Sequence, residues 1–180
     1  MDVARRETLL AFLTSRDGEI DRLGTPELLG QWLAEHGLAA AGSVSVSEED
    51  ARQARRLRAA LVGLVAARSG GPAMDPRTMP FLDSVTHEAP LVVASDATGS
   101  LSVVPHEPSV AGALAMLVHL TYEAQLLGEF ERFKACNACG WCYYDSTKNR
   151  SRRWCDMARC GSREKVRAYR ARKKAAEETA

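Results

Sequence analysis

Apolar residues recur at helical spacing in three segments of the first 130 residues, and each segment has residues typical of helix boundaries at its ends. The first begins at Thr25-Pro26-Glu27 and ends at Gly37, the second begins at Ser47-Glu48 and ends at residues 69–72, and the third follows Pro108 from about residue 109 to 128. A hydroxyl side chain before a helix satisfies one of its first amides. The pattern therefore predicts three helices.

The apolar faces of these helices are expected to form the core of the N-terminal domain. Trp32 and the leucines around it belong to this face in the first helix. For the third helix the expected core side chains are Leu114, Leu117, Val118, Tyr122 and Leu126.

Two further apolar segments complete the N-terminal pattern. The run from Leu9 to Leu13 is too short for its periodicity to decide between helix and strand. Residues 91–93 and 101–104 are rich in β-branched residues and flank a turn-rich gap at residues 95–99, which indicates a hairpin. We therefore predict a mainly helical α+β domain with one β-hairpin.

The N-terminal domain carries no recognisable catalytic pattern. The sequence has no glycine-rich phosphate loop and no Gly-x-Ser-x-Gly motif. Its four histidines, His36, His87, His106 and His119, are scattered over different predicted elements, so we expect surface or structural roles for them. We predict that the protein is not an enzyme.

The overall charge conceals a division of the chain into two parts. The 180 residues carry a formal net charge of +1, yet residues 1–130 have 10 basic and 17 acidic side chains, for −7, and residues 131–180 have 14 and 6, for +8. All five cysteines also lie after residue 130. The two changes coincide and predict domains at 1–130 and 131–180. Because no Pro/Gly/Ser linker separates them, we expect them to pack together or to be joined by a helix.

The lengths of the apolar segments indicate in which cellular compartment the protein is expected. The longest nearly uncharged stretches, residues 59–67 and 109–122, are shorter than the roughly 20 residues of a membrane-spanning helix. The N-terminal residues lack the apolar run of a secretory signal. We therefore expect a cytoplasmic protein, in a reducing compartment and without membrane association.

The cysteines have the spacing Cys-x2-Cys-x2-Cys-x12-Cys-x4-Cys. Two close pairs separated by 15 to 20 residues are typical of a closed tetrahedral zinc site. We expect one structural Zn²⁺ per chain, bound by Cys136, Cys139, Cys155 and Cys160, with Cys142 as an additional thiol. A disulfide-rich tail or a set of reactive thiols is the alternative, which the expected reducing compartment disfavours.

Basic side chains lie on both sides of the second cysteine pair, Cys155 and Cys160. Gly161 is expected to turn the chain and Ser162 to cap a helix over residues 163–176, with Val166 and Tyr169 packed back on the zinc knuckle. The helix would carry a basic stripe of Arg163, Arg167, Arg170 and Lys174, and a second basic cluster precedes it at Lys148, Arg150, Arg152 and Arg153. These eight residues are the predicted contacts to nucleic-acid phosphates, and a solvated charged surface is the alternative.

At Cys139-Gly140-Trp141 and over residues 151–167, SRRWCDMARCGSREKVR, the sequence resembles the CGNR zinc-finger family of bacterial proteins. Members of that family pair the finger with an N-terminal ABATE domain, which residues 7–130 resemble more loosely. The resemblance implies a stress-responsive transcription regulator with a DNA-binding finger. Two departures stand out: Ser162 replaces the family's Asn in Cys-Gly-Asn-Arg, and Thr14-Ser15 replaces a common Asn-Thr pair.

The sequence as a whole predicts an ABATE-like domain followed by a small treble-clef-like zinc finger with four cysteine ligands that ends in a basic helix. We expect it to bind nucleic acid and to regulate transcription, with a homodimer as one arrangement. The spacing does not distinguish DNA from RNA, and the resemblance favours DNA. The alternative is a protein-interaction module in which zinc is purely structural and the basic helix docks on an acidic partner or on its own N-terminal domain.

Overall fold

The computed structural model describes residues 1–178, which form helices and three separate two-stranded antiparallel sheets. The helices are α1 (Val3–Leu13), α2 (Pro26–Glu35), α3 (Glu48–Arg68), α4 (Thr78–Glu88), α5 (Val110–Leu126) and α6 (Ser162–Glu178). The paired strands are β1 (Arg16–Asp17) with β2 (Ile20–Asp21), β3 (Leu91–Ser95) with β4 (Leu101–Pro105), and β5 (Phe133–Ala135) with β6 (Cys142–Tyr144). This architecture confirms the predicted α+β class.

The three predicted helices form as α2, α3 and α5, and each begins at a residue whose side chain caps it. Thr25 accepts a hydrogen bond from the Leu28 amide at the start of α2, and Gly37 follows that helix with φ +66°. Ser47 and Asp50 exchange side-chain and backbone hydrogen bonds in a capping box at the start of α3. Ser109 caps α5 by accepting from the Gly112 amide.

The two further apolar segments form a helix and a hairpin. The apolar run that ends at Leu13 lies in α1, which Asp2 caps, and it buries Leu9, Phe12 and Leu13. The predicted hairpin forms as β3 and β4, with Leu91 opposite Pro105 and Ser95 opposite Leu101.

Helix α4 and the hairpin of strands β1 and β2 have no clear signal in the sequence. Helix α4 lacks a side-chain cap, since the residue before it, Arg77, makes no capping hydrogen bond, and of its eleven residues only Phe81, Leu82 and Val85 are buried. Strands β1 and β2 are two residues each, and the bidentate ion pair between Asp21 and Arg58, with N–O distances of 2.7 Å, ties them to α3. Such a tertiary contact is invisible to local periodicity.

The expected core face of α5 is partly wrong. Leu114 and Leu117 are buried, but Tyr122 is 57% exposed and Leu126 is 69% exposed. Helix α5 is apolar around most of its circumference, so its sequence does not specify which side faces inward. The helix buries several small residues instead, among them Ala113, Ala115 and Ala124, which allow its neighbours to approach closely.

The main core extends beyond the N-terminal domain. Its largest fully buried side chains include Trp32 and Phe12, and the same cluster contains Phe133, Ala135 and Cys142 from the cysteine module. The Ala135 amide also donates a hydrogen bond to Ser69 Oγ at 3.0 Å, joining β5 to the end of α3. The two parts of the chain therefore pack together, as the absence of a linker indicated. Within residues 1–178, no helix has both the length and the apolar character needed to cross a membrane.

Candidate metal centre and nucleic-acid interface

Four cysteine sulfurs converge at one point of the C-terminal module. The Sγ atoms of Cys136, Cys139, Cys155 and Cys160 all lie within 4.8 Å of one another. Three of the distances, among Cys139, Cys155 and Cys160, are 3.7 Å. A tetrahedral zinc ion with Zn–S bonds of about 2.3 Å requires sulfurs about 3.8 Å apart. The cluster therefore fits one closed, structural zinc site with the expected four ligands.

The first cysteine pair is positioned by the tight turn between β5 and β6. The Cys136 amide donates to Trp141 O at 2.9 Å, and the Gly140 amide donates to Cys136 O at 2.8 Å. Gly140 has φ +75°, a conformation that costs little only for glycine. This knuckle directs both sulfurs towards the metal.

The second pair lies at a π-helical turn (Met157–Gly161) that leads directly into α6: Cys155 precedes the turn and Cys160 lies within it. Asp156 caps this turn by accepting from the Arg159 amide at 2.7 Å, and the Cys160 amide donates to Asp156 O at 3.0 Å. The expected cap at Ser162 is wrong: Ser162 already has helical dihedral angles, because the helical path begins five residues earlier. Gly161 does not turn the chain but admits the Met157 side chain, whose sulfur lies 2.5 Å from where a Cβ would be.

The hairpin strands have two faces with different roles. Phe133, Ala135, Cys142 and Tyr144 belong to or pack against the main core, whereas Tyr143 clusters with Cys136 and Cys160. Lys134 lies opposite Tyr143 in the register and so shares its face. Cys142 thus projects away from the metal, and burial raises the pKa of its thiol to about 11. The expectation that Cys142 is not a ligand agrees with this placement.

The environment of Cys136 favours a thiolate. Burial alone would raise the pKa of its thiol, but hydrogen bonds from the backbone amides of Cys155, Ala138 and Cys139 outweigh it and lower the pKa to about 7. Zinc binds the thiolate form, so these amides support metal binding.

Asp145 anchors the loop between the two cysteine pairs. Its carboxylate is fully buried and accepts hydrogen bonds from Lys134 Nζ at 2.7 Å, the Arg152 amide at 2.9 Å and the Thr147 amide at 3.0 Å. Burial acts to raise the pKa of this carboxyl, but these hydrogen bonds hold it well below its ordinary value. Sequence reasoning missed Asp145, although an acid two residues before Thr147 in a basic module is a signal of a local turn.

An open hollow of 480 Å³ lies beside the metal centre. Its lining consists of Asp17, Cys139, Trp141, Cys155, Asp156, Arg159, Cys160 and Arg163. Cys139 is exposed, whereas Cys136 and Cys160 are buried. A zinc ion with four thiolates would carry a net charge of −2, which the Arg159 and Arg163 side chains that line the hollow would partly offset.

Helix α6 presents the predicted basic stripe to solvent. Arg163, Arg167, Arg170 and Lys174 are all exposed, and α6 contacts the rest of the protein mainly through the π-helical turn. Val166 is 49% exposed and Tyr169 is 61% exposed, so the expectation that they pack on the zinc knuckle is wrong. The physical reason is that α6 projects away from the knuckle after the π-helical turn.

The second basic cluster divides into exposed and structural residues. Lys148 and Arg153 are exposed, and Arg150 is exposed but pairs with Glu131 at 2.7 Å. Arg152 corrects the prediction: its guanidinium donates to the carbonyls of Trp154 and Cys155 and lies 4.9 Å from the Tyr143 ring centre. Arg152 therefore holds the zinc module together, and two of its three guanidinium nitrogens are already bonded to backbone carbonyls.

Two family models match the chain. Residues 7–124, about two thirds of the sequence, match the ABATE model, described as a "putative stress-induced transcription regulator". Residues 132–173 match the CGNR zinc finger. Both matches confirm the resemblance found in the sequence. No curated protein proved similar to the chain.

Proposed function

The chain belongs to the ABATE family and carries a CGNR zinc finger, and on that basis we propose that it is a DNA-binding transcription regulator. The zinc is structural, since four thiolates complete its coordination. The observation that carries the proposal is the exposure of a strongly basic helix at the end of this metal-held module.

The charge distribution supports phosphate contacts. Residues 131–180 carry a net charge of +8, and α6 concentrates much of it on one projecting element. Arg163, Arg167 and Arg170 are exposed rather than packed against the acidic N-terminal domain. Docking of the helix on its own N-terminal domain, the alternative function, therefore has less support than binding to a polyanion.

The proposal includes a non-catalytic role for the metal. Four sulfur ligands leave no coordination position for a substrate or an activated water, which catalytic zinc sites keep open. His36 and His87 each hydrogen-bond the carbonyl four residues earlier, at 2.8 and 2.7 Å, in the manner of structural histidines. A cytoplasmic location, a homodimer and the involvement of Lys148, Arg150 and Arg153 stay predictions.

A salt-dependent binding assay tests the proposed function. A fluorescently labelled mixed-sequence DNA duplex and an RNA hairpin are titrated with the zinc-loaded protein at several salt concentrations. We expect binding to the duplex at low salt and a logarithmic salt slope that decreases by about two in an Arg167→Ala, Arg170→Ala double variant.

Arg77→Ala is the control for the loss of a positive charge outside α6, because it removes one charge from the N-terminal domain, where the Arg77 side chain is 90% exposed. Its salt slope should equal that of the unmodified protein. Absence of duplex binding at low salt, or an equal loss in the Arg77 variant, would refute the proposed function.

A further inference from the structure

Helix α6 carries basic side chains on two opposite faces, not on one. The helix is continuous over Ser162–Glu178, so successive residues are rotated by about 100°. Arg163, Arg167, Arg170 and Lys174 form the first basic face. Lys165 and Arg172 form the second basic face, about 180° away around the axis.

The two intervening faces differ sharply in chemistry. One carries Val166, Tyr169 and Lys173, which we call the central face, with Glu177 at its C-terminal end. It lies about 90° from each basic face. On the opposite side, Glu164, Ala168 and Ala171 form the back face, which contains the acidic residue of the first turn.

The central face exposes apolar groups that the fold does not use. Val166 and Tyr169 are 49% and 61% exposed on a helix whose other described residues are mostly charged or alanine. Lys173 lies beside them and pairs with Glu177 at 3.8 Å, a surface ion pair that contributes little. An apolar and hydrogen-bonding surface between two positive surfaces is therefore presented to a partner.

This arrangement matches the major groove of B-form DNA. The groove is about 12 Å wide and admits a helix of about 10–12 Å diameter. Phosphates line both walls, so a helix in the groove meets negative charge on two opposite sides and base edges between them. The basic faces fit the walls and the central face fits the base edges, while Glu164 of the back face pairs with Arg167 at 3.4 Å.

We propose that α6 lies in the major groove of duplex DNA and that Val166, Tyr169 and Lys173 contact the base edges and determine sequence preference. Valine methyl groups suit the thymine methyl, and a lysine ammonium suits guanine O6 and N7. The deep, narrow major groove of A-form RNA does not admit a helix in this way. This inference rests on the proposed function.

The zinc module fixes how the helix enters the groove. Cys160 precedes α6 by two residues, and the Asp156-capped turn joins the metal ligand to the helix without a flexible linker. The first turn of α6 is therefore held by the metal centre, which orients the central face relative to the module.

Selection of DNA sequences tests the proposal. A pool of duplexes with a randomised central segment is enriched on the zinc-loaded protein and on the variants Val166→Ala, Tyr169→Ala and Lys173→Ala. We expect the unmodified protein to enrich one motif and each variant to lose preference at one or two positions by roughly fivefold or more. Affinity for a mixed-sequence duplex should change less than about threefold for Val166→Ala and Tyr169→Ala, because the phosphate contacts remain.

Two back-face variants serve as matched controls. Ala168→Val and Ala171→Tyr place the same types of side chain on the opposite side of α6, and both should enrich the unmodified motif. Zinc content and helical circular dichroism establish that each variant folds. These substitutions lie at exposed positions, so folding should be retained.

The outcomes separate the inference from the proposed function. If no duplex binds, the proposed function fails and the inference fails with it. If mixed-sequence duplexes bind but no motif is enriched, or the central-face variants enrich the unmodified motif, the inference alone is overturned. Equal dependence of RNA hairpin binding on the central face would also overturn it.

Discussion

The N-terminal domain and the zinc module are stabilised by different physical terms. The N-terminal domain buries a continuous apolar cluster in which Phe12, Leu57 and Leu117 are fully buried. Among the residues that the structure describes, the buried cluster around the metal site consists of Cys136, Tyr143 and Cys160, with Trp141 and Trp154 partly buried beside it. Burial of apolar surface can hold the first region, whereas the second requires metal coordination to compensate for its small core.

The β5–β6 hairpin connects the N-terminal core with the zinc module. One face packs on the main core through Phe133 and Cys142, and the other carries Tyr143 and Lys134 towards the metal module. The alternation of side chains along a strand makes this double use possible. The apolar domain thus provides a rigid base from which zinc orders the C-terminal segment.

The largest expected effect distinguishes two cysteines of the same module. Cys155→Ser should abolish stoichiometric zinc binding and unfold the module, since structural zinc contributes about 10–16 kcal/mol to such modules. Cys142→Ser should retain zinc, because Cys142 lies in the main core and not in the sulfur cluster. Metal analysis of the purified variants measures this. Zinc loss in Cys142→Ser, or retention in Cys155→Ser, would reverse the ligand assignment.

A cavity in the N-terminal core should affect stability but not metal binding. Leu117→Ala removes a fully buried side chain of α5 and should lower the free energy of unfolding by about 2–5 kcal/mol. Leu126→Ala, on the same helix but 69% exposed, is the matched control and should cost far less. Urea denaturation measures both. Comparable losses would show that α5 is oriented differently.

The buried ion pair of Asp145 should connect the two halves of the zinc module. Asp145→Ala leaves Lys134 without its 2.7 Å partner and should cost about 3 kcal/mol, while weakening zinc affinity. Asp75→Ala removes a carboxylate from a surface pair and is the control. Competition with a chromogenic chelator measures zinc affinity. An unchanged affinity in Asp145→Ala would mean that the loop does not support the second cysteine pair.

The smallest expected effect on stability concerns α6. Tyr169→Ala should leave the thermal midpoint unchanged, because this ring is 61% exposed. Phe133→Ala, which truncates an aromatic residue 1% exposed on β5, should lower the midpoint by several degrees. Differential scanning calorimetry compares them. A clear loss in Tyr169→Ala would indicate that α6 packs against another part of the protein.

The sequence contained enough local information for the capped helices and the metal ligands. Ser47 and Asp50 form the expected helix start, and the cysteine spacing specifies the sulfur cluster, because both depend on residues close in the chain. The orientation of α5 was not predictable, because apolar residues occur around most of its circumference. Tyr122 and Leu126 fit the apolar pattern but are exposed. The roles of Asp145 and Arg152 depend on partners that only the folded hairpin and loop bring together.

Hydrogen exchange before and after zinc removal tests most directly whether metal coordination, rather than packing, holds the C-terminal module. In the zinc-loaded protein, the amides of Arg152 and Cys160 are hydrogen-bonded within the module. Chelation of zinc should abolish their protection while amides in α3 and α5 remain protected by the apolar core. Unchanged protection of Arg152 and Cys160, or its simultaneous loss in α3 and α5, would contradict the division between the two regions.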